Sequence, residues 1–440
     1  MSVEQLESLR HEMKKCVRCS LCKLIPMPTI VDAEFTSACP PVDEYHFHAY
    51  SGGGLQVMAL SLIEGRIKAD RDLAGIAAAC TTCGMCDVAC KFIMAAERME
   101  VIMALKEHLV ESGELQKQHR ILADNLQQFG YCEGKPVFEP GSWAQGMGIK
   151  KMPEEQAEVL LFVGAGVHQD ARHATSARNL AQLLKVAGVD FGILAKGEPD
   201  CGIDLYWTGQ RKHFIEQAGL VVNVLEKTNA KTVVALCGED LGMLRGIYPS
   251  YGYQLGVEVL HASEYLLELI QRGKLRLSHE VPRVATYHDP CYLGRRSEPP
   301  QTWQGEERLT HGVMTYFVPP KPINYGVNGV FEAPRLILKQ IPGLQLREMQ
   351  RKREYAYCCG GGGGVPDAHP DVARAAAQQR QAEANKTGAE ILITACQHCR
   401  HNLTRWENKD ALPLVELVDV VHQAAGLSSY QAELDSGLTV

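Results

Sequence analysis

CTTCGMCDVAC, residues 80–90, decides the reading of this 440-residue chain. Cys80, Cys83, Cys86 and Cys90 stand at C-x2-C-x2-C-x3-C. That spacing wraps a loop around one corner of a 4Fe-4S cubane, so three thiolates reach three irons while the fourth points away to another cluster. A second triplet is therefore required, and it lies upstream as Cys16, Cys19 and Cys22, followed after an insertion by a lone Cys39 before Pro40. Exchange of the distal ligands assigns Cys16, Cys19, Cys22 and Cys90 to one cluster, and Cys80, Cys83, Cys86 and Cys39 to the other. A pair of zinc sites is the rival reading, because CxxC pairs also suit tetrahedral zinc. Zinc has no use for a third cysteine at that spacing or for a lone distal one. Lys91 stands where proline often follows the last cysteine.

Outward from these cysteines, residues 1–130 read as a helical, ferredoxin-like domain with two 4Fe-4S clusters. Apolar periodicity is clear in MAAERMEVIMALKEHLVESGELQKQHRILADNLQQF, and no strand pattern interrupts it. The composition, 45% apolar and 22% charged, is that of a globular protein large enough to build real cores, so metals are not needed to compensate for a small one. A net charge of -7 without a dense basic patch excludes nucleic acid as the main partner. No apolar run reaches the roughly 18 residues of a membrane span, and the first residues lack a signal peptide's apolar core. A cytoplasmic location is expected. The sixteen cysteines then read as metal ligands rather than a disulfide framework.

Residues 131–156 turn rich in glycine and proline and read as a linker. Beyond it the chain is written twice. The first copy, 157–280, opens with AEVLLFVGAG, contains TVVALCGED and closes with VEVLHASEYLLELI; the second, 281–430, opens with RVATYHDPC, contains ILITACQHC and closes with LPLVELVDVVHQAA. Two β/α units related by duplication, meeting near Ser278 to Pro282, fit this better than one continuous sheet. The fold class expected is α+β and multidomain, a helical dicluster domain followed by two duplicated α/β domains.

In the second copy Cys291, the adjacent pair Cys358 and Cys359, and Cys396 with Cys399 bring five thiolates from three segments. Two adjacent cysteines do not bind one iron of a regular cubane comfortably, which points to a cluster of another shape. Gly360 to Gly364 remove side-chain bulk beside it and free backbone amides to face sulfur. This set, with the dicluster domain before it, resembles the CCG-domain iron-sulfur proteins over nearly the whole chain. That family includes cluster-bearing subunits of heterodisulfide reductases, the iron-sulfur subunit of glycolate oxidase, DsrK-type subunits and electron-input subunits of benzoyl-CoA reductases. The resemblance implies a non-cubane 4Fe-4S cluster on Cys291, Cys358, Cys359, Cys396 and Cys399. Relative to the family spacing, residues 296–327 are an insertion, rich in proline and aromatics, read as a lid, a docking surface or a plain surface excursion.

The first copy departs further: Ala165, Asp200-Cys201, and Cys237 with Asp240 stand where five thiolates are expected. A second non-cubane cluster is read as lost, Cys201 and Cys237 as core residues with Asp200 or Asp240 as conceivable ligands, and Cys132 as unpartnered. LLFVGAGVHQ lacks the third glycine of a dinucleotide fingerprint, and the five-glycine run lacks the Lys-Ser/Thr of a nucleotide loop. His288, Asp289 and His398 are candidates for tuning the cluster or supplying protons, with capping or surface roles the alternative. His46 and His48 read as packing or hydrogen-bonding residues.

The function expected is an iron-sulfur electron-transfer subunit of a larger oxidoreductase complex, working with other subunits, one of them a flavoprotein, since the chain carries no flavin or nicotinamide fingerprint of its own. The regions Cys22 to Cys39 and 296–327 are the candidate docking surfaces. Two alternatives stand beside it, a catalytic thiol-disulfide reductase of heterodisulfide type and a quinone-linked iron-sulfur subunit. No catalytic residue is assigned.

Overall fold

The computed structural model describes residues 2–311, 314–406 and 408–428. Positions 312 and 313 of the insertion and the last two residues of the expected second copy fall outside them. The N-terminal segment is helical and centres on the helix Arg98–Glu111, whose Val101, Ile102, Leu105 and Leu109 are buried. Helices Ser2–Ser8, Gly52–Ile63 and Arg71–Ala78 pack around it, which is why this helix is apolar on more than one face. Two starts are fixed by side chains that satisfy free N–H groups: Ser51 accepts from the Gly54 N–H at 3.0 Å and Asp70 from the Leu73 N–H at 2.9 Å.

The rest of the chain is built on two parallel sheets with their helices and one antiparallel hairpin. The first holds strands β1 (Lys150–Met152), β2 (Val159–Phe162), β3 (Phe191–Leu194), β4 (Thr232–Ala235) and β5 (Glu258–His261), in the order β1-β3-β2-β4-β5. The remaining strands are β6 (Val284–Tyr287), β7 (Glu306–Thr310), β8 (Met314–Val318), β9 (Gln345–Leu346), β10 (Ile391–Thr394) and β11 (Leu414–Glu416). The second sheet runs β9-β6-β10-β11, so it matches β3-β2-β4-β5 strand for strand. Each copy ends as its sequence suggests, with a strand leading directly into a helix, Ala262–Gln271 in the first and Leu417–Ala424 in the second. Every strand pair in both sheets is parallel, and β2, β3 and β4 are buried along nearly their whole length. Short, almost wholly apolar runs are what strands covered on both faces require.

In each copy the chain leaves the first central strand for a neighbour on one side and later returns on the other side. This places a topological switch point between β2 and β4, and another between β6 and β10. Crevices at the carboxyl ends of such strands are where open α/β sheets hold ligands. Cys291 follows β6 and Cys396 follows β10; their counterparts Ala165 and Cys237 follow β2 and β4.

Two expectations change. The stretch 131–156 is not only a linker, because Lys150–Met152 adds the edge strand β1 beside β3. The insertion is built on the antiparallel hairpin β7-β8 and lies across the N-terminal domain. Lys91 explains part of that placement: its ammonium donates to the Asn324 carbonyl at 2.7 Å while paired with Asp87 and Glu97. Tyr325 stacks against Phe92, with ring centroids 4.6 Å apart.

Glu416, at the end of β11, is 3% exposed, and its Oε1 has no hydrogen-bond partner. Burial lifts its carboxyl to about 8. A carboxyl raised above its unfolded value gives its stability in full below the unfolded pKa and loses it as pH rises through the folded one. Glu416→Gln is therefore expected to flatten the loss of thermal stability between about pH 5 and pH 8, a contribution on the order of 3 kcal/mol, read as Tm against pH for both proteins.

Candidate iron-sulfur sites and the cavity between the copies

The eight N-terminal cysteines form two groups. Cys16, Cys19, Cys22 and Cys90 line one small cavity together with His48, Gly53 and Arg98. Cys19 is exposed and the other three are wholly or partly buried. Burial raises the Cys90 thiol, and the Arg98 guanidinium opposes the rise, its Nε donating to Cys90 Sγ at 2.8 Å. In the second group Cys39, Cys80, Cys83 and Cys86 are electrostatic neighbours, and burial drives the Cys39 and Cys86 thiols well up. The grouping is the one that exchange of distal ligands calls for. Between the groups runs the start of helix Gly52–Ile63. A Cβ on Gly52 would stand 2.8 Å from Cys86 Sγ, and one on Gly53 3.4 Å from Cys22 Sγ, so these glycines let one helix end pass close to both sets. His48 lines the first cavity and its carbonyl accepts from Ser51.

Arg98 is 2% exposed, so its charge acts on Cys90 with little screening. A nearby positive charge and a hydrogen bond to a ligand sulfur both favour the reduced form of a cluster. If Cys16, Cys19, Cys22 and Cys90 hold a cluster, Arg98→Met is expected to lower its midpoint potential by about 100 mV, the size of one charge a few ångströms away at an effective dielectric of about 20. Anaerobic potentiometry of both proteins, followed by electron paramagnetic resonance, measures this.

The five C-terminal cysteines make a chain of neighbours. The Cys358 thiol contacts Cys291 and Cys359, Cys359 contacts Cys399, and Cys399 contacts Cys396. Backbone N–H groups point at sulfur from Gly360 to Cys358 (3.3 Å), Gly361 to Cys359 (3.4 Å) and Cys399 to Cys396 (3.4 Å). Converging thiols, amide donors to sulfur and burial fit an iron-sulfur cluster. At one end the chain continues into the N-terminal domain: hydrogen bonding from Cys358 brings the Cys83 thiol down to about 5, with Arg295 assisting. At the other end Cys396 Sγ lies 3.9 Å from Cys237 Sγ of the first copy. Cys237 is buried in the core as read, but that core is shared with Cys359, Cys396 and Cys399 of the second copy, whereas Cys201 sits buried beside Asp240.

The glycine run is also a close-packing device. Gly363 adopts φ +76°, and a Cβ there would overlap the Cys80 carbonyl; at Gly362 it would come 2.8 Å from the Thr81 carbonyl. A second set of glycines escaped the sequence reading. Gly238, Gly242 and Gly246 lie along one short helical stretch that packs against the segment after Cys291. A Cβ would stand 2.8 Å from Leu293 Cβ at Gly238 and 2.7 Å from the Tyr292 carbonyl at Gly242. Their four-residue spacing was the available signal.

Among the flanking polar residues, His288 is 1% exposed, contacts Cys359 and accepts at Nδ1 from Arg380 (3.0 Å). Asp289 is corrected from tuning the cluster to a structural role, since both its oxygens take Arg335 (2.6 and 2.8 Å) and one also accepts from the Arg353 N–H. His398 pairs its Nε2 with the Gly361 carbonyl at 2.9 Å and sets its ring edge-on to Trp207. Between the copies lies a cavity of about 730 Å³, lined among others by Cys237, Glu239, His398, Asp204, Cys132 and His173.

Comparison with known proteins agrees with this architecture. The cysteine-rich domain called CCG matches residues 159–245 and 314–404, and the 4Fe-4S dicluster domain matches residues 12–93. A polypeptide of the dihydromethanophenazine:CoB--CoM heterodisulfide reductase of Methanosarcina barkeri is 30% identical over 371 residues, covering 80% of this chain and 78% of that protein. A polypeptide of the fumarate reductase (CoM/CoB) of Methanothermobacter marburgensis is 24% identical over 93% of this chain and 71% of its own length. The EtfAB:quinone oxidoreductase of Syntrophomonas wolfei is 27% identical over 73% of this chain, which spans 42% of that relative. Fold and sites together define an iron-sulfur protein with a 4Fe-4S dicluster domain and two cysteine-rich α/β domains. The chain belongs to the CCG-domain family, alongside the Methanosarcina heterodisulfide reductase polypeptide. Among the described residues no helix is long and apolar enough to cross a membrane.

Proposed function

We propose that this chain is the electron-transfer subunit of a larger oxidoreductase complex, passing electrons between a flavoprotein subunit and the C-terminal cysteine set. The observation that carries the reading is the contact between Cys83 and Cys358. It makes one path from the exposed Cys19 through both N-terminal groups to the five C-terminal thiols. Clusters held at these cysteines supply one-electron transfer. The chain's own residues do the rest. Arg98 and the Gly360 and Gly361 amides hold sulfur by hydrogen bonds, the glycine run brings the Cys80 loop against the second copy, and burial keeps water from the inner thiols.

Cys19 shares its cavity with exposed Val17, Leu21 and Ile93, an apolar rim suited to the flavoprotein. The sixteen cysteines, most of them in CxxC-type clusters, suit metal binding in a reducing compartment, the cytoplasm. A second reading, reduction of a disulfide at the C-terminal set, is favoured by the cavity that reaches Cys237 and His398, and by the activity for which the Methanosarcina relative is named.

One experiment separates the two. Reduced methyl viologen is titrated anaerobically into the isolated chain, and a small disulfide is then added. Uptake of about three electrons per chain that then stops supports an electron-transfer subunit. Sustained viologen oxidation on adding the disulfide replaces this reading with the catalytic one.

A further inference from the structure

Three cationic side chains meet residues 80–84, the loop of the inner N-terminal group (Cys39, Cys80, Cys83 and Cys86), and two of them come from the second copy. Arg295 and Arg296 stand just after Cys291, in the segment that follows β6. Arg295 is 6% exposed, and its Nε donates to the Cys83 carbonyl at 3.0 Å. Its Nη1 donates to the carbonyls of Glu354 and Ala356 at 2.9 and 2.7 Å, just before Cys358. Arg296, half-buried, lies against the next residue of the cysteine loop, since a Cβ on Gly84 would stand 3.0 Å from its Cδ. Its Nη2 donates to the Tyr206 hydroxyl at 2.8 Å. The third cation is the Lys106 ammonium, 3.1 Å from the Cys80 carbonyl.

Their hydrogen bonds all go to carbonyls and one hydroxyl, and none of the three forms an ion pair with a carboxylate among the described residues. Asp87, which acts on Arg296, is already paired with Lys91 at 2.7 Å. Arg295 Nη2 and Arg296 Nε are buried N–H groups without a partner. Unpaired donors and unbalanced charge in an interior are both costly. A 4Fe-4S cluster on four thiolates is anionic and presents sulfides as acceptors, so a cluster held at this loop fits the surplus of positive charge. The outer group, Cys16, Cys19, Cys22 and Cys90, is provided for differently. Its buried cation without a carboxylate partner is Arg98, at 2.8 Å from Cys90 Sγ, while Lys91 is neutralised by Asp87 and Glu97. Arg18 is exposed and Lys23 half-buried, where water and salt screen their charge.

We propose that Arg295 and Arg296, with Lys106, make the inner group the electron sink of the N-terminal domain, so that an electron entering beside the exposed Cys19 comes to rest next to Cys358. The proposal rests on the electron-transfer reading above and adds a direction to it. A fixed positive charge favours the form of a cluster that holds one more electron, and three such charges in a poorly screened interior outweigh one. The step moves one electron, supplied by the flavoprotein, from the outer site to the inner one. No bond forms or breaks, and no proton is needed. Neither arginine is a ligand; both are positioning residues that act through charge on a site that the cysteines hold. Because they belong to the second copy, the N-terminal domain by itself lacks this ordering, and docking of that copy builds the sink where the C-terminal thiols begin.

Anaerobic potentiometry of the full chain, read by electron paramagnetic resonance, tests this. Of the two cubane signals, the one that appears at the higher potential is expected to move down in Arg295→Gln and in Arg296→Gln, and the one at the lower potential in Arg98→Met. Each Arg→Gln change is expected to shift the partition of one electron about tenfold towards the outer site, which corresponds to about 59 mV. Arg295→Lys separates charge from shape. It keeps the charge and loses the planar fork that spans the Cys83, Glu354 and Ala356 carbonyls, so it is expected to hold the parent potentials, whereas a merely structural arginine would make Lys as damaging as Gln. Should Arg295→Gln fail to fold, Arg296→Gln decides by itself, because Arg296 hydrogen-bonds only the Tyr206 hydroxyl among the described residues. A higher-potential signal that answers to Arg98→Met and to neither of the other arginines overturns the proposal, and so does Arg295→Lys behaving as Arg295→Gln. Fewer than about eight irons in the parent chain would overturn the cluster assignment together with it, while full iron with the order of potentials reversed overturns this proposal alone.

Discussion

Cys359→Ser is expected to yield a folded chain with about eight irons in place of about twelve, because it removes the thiol at the centre of the C-terminal chain of contacts. Cys359 touches Cys358 on one side and Cys399 on the other, receives the Gly361 amide and faces His288. A serine hydroxyl occupies nearly the same volume, so packing against Leu392 and Leu403 is retained while the soft donor is lost. The N-terminal groups share no ligand with this set, and their irons stay. Cys201→Ser, buried beside Asp240 and away from the chain of thiols, is expected to leave the iron content unchanged. Anaerobic iron and acid-labile sulfide determinations read both variants, and reductive titration of Cys359→Ser is expected to take up about two electrons rather than three. Twelve irons in the variant would remove Cys359 from the ligand set. Eight irons in the parent chain would mean that these cysteines hold no cluster.

What was legible in the sequence follows from the range over which each feature acts. The C-x2-C-x2-C-x3-C loop is shaped by its own spacing, so the two N-terminal groups could be read from residues alone. Hydrophobic runs likewise gave both copies and their strand-to-helix endings. Features created between copies were hidden. Cys237 looked like the remnant of a degraded motif until folding set it 3.9 Å from Cys396, 159 positions away. Lys91 read as a departure from a consensus, but its reason, the Asn324 carbonyl, lies more than two hundred residues on. His288 and Asp289 were grouped because they are adjacent. At the end of a strand adjacent side chains take opposite faces, so one reaches Cys359 and the other Arg335. The strand Lys150–Met152 was missed because three residues among glycines and prolines carry no usable alternation.

Lys106 shows how such long-range joints hold the path together, and its replacement carries the second large expected effect. It lies 4% exposed in the central helix of the N-terminal domain, and its ammonium donates to three carbonyls: Cys80 at 3.1 Å, Trp207 at 2.9 Å and Gly363 at 3.3 Å. These belong to the cysteine loop, the first copy and the glycine run of the second copy, so one side chain ties three domains at the point where Cys83 meets Cys358. The turn at Gly209 presses on the same helix, and a Cβ there would stand 2.7 Å from the Lys106 carbonyl. Lys106→Met keeps most of the volume and removes all three donors. Each buried acceptor left without its partner costs about 1–3 kcal/mol, so a loss of about 3–6 kcal/mol is expected, allowing for partial rearrangement. The chain has several domains, and the loss should show as uncoupling rather than as a uniform fall in stability. Limited proteolysis is expected to cut the glycine run and the loop around Cys80 in the variant before the parent, with an earlier first thermal transition. Electron equilibration between the N-terminal groups and the C-terminal set is expected to slow, because the Cys80 loop and the Cys358 segment are no longer pinned to a common donor. A variant with the parent's first transition and cleavage pattern would show that the packed glycines alone hold this junction.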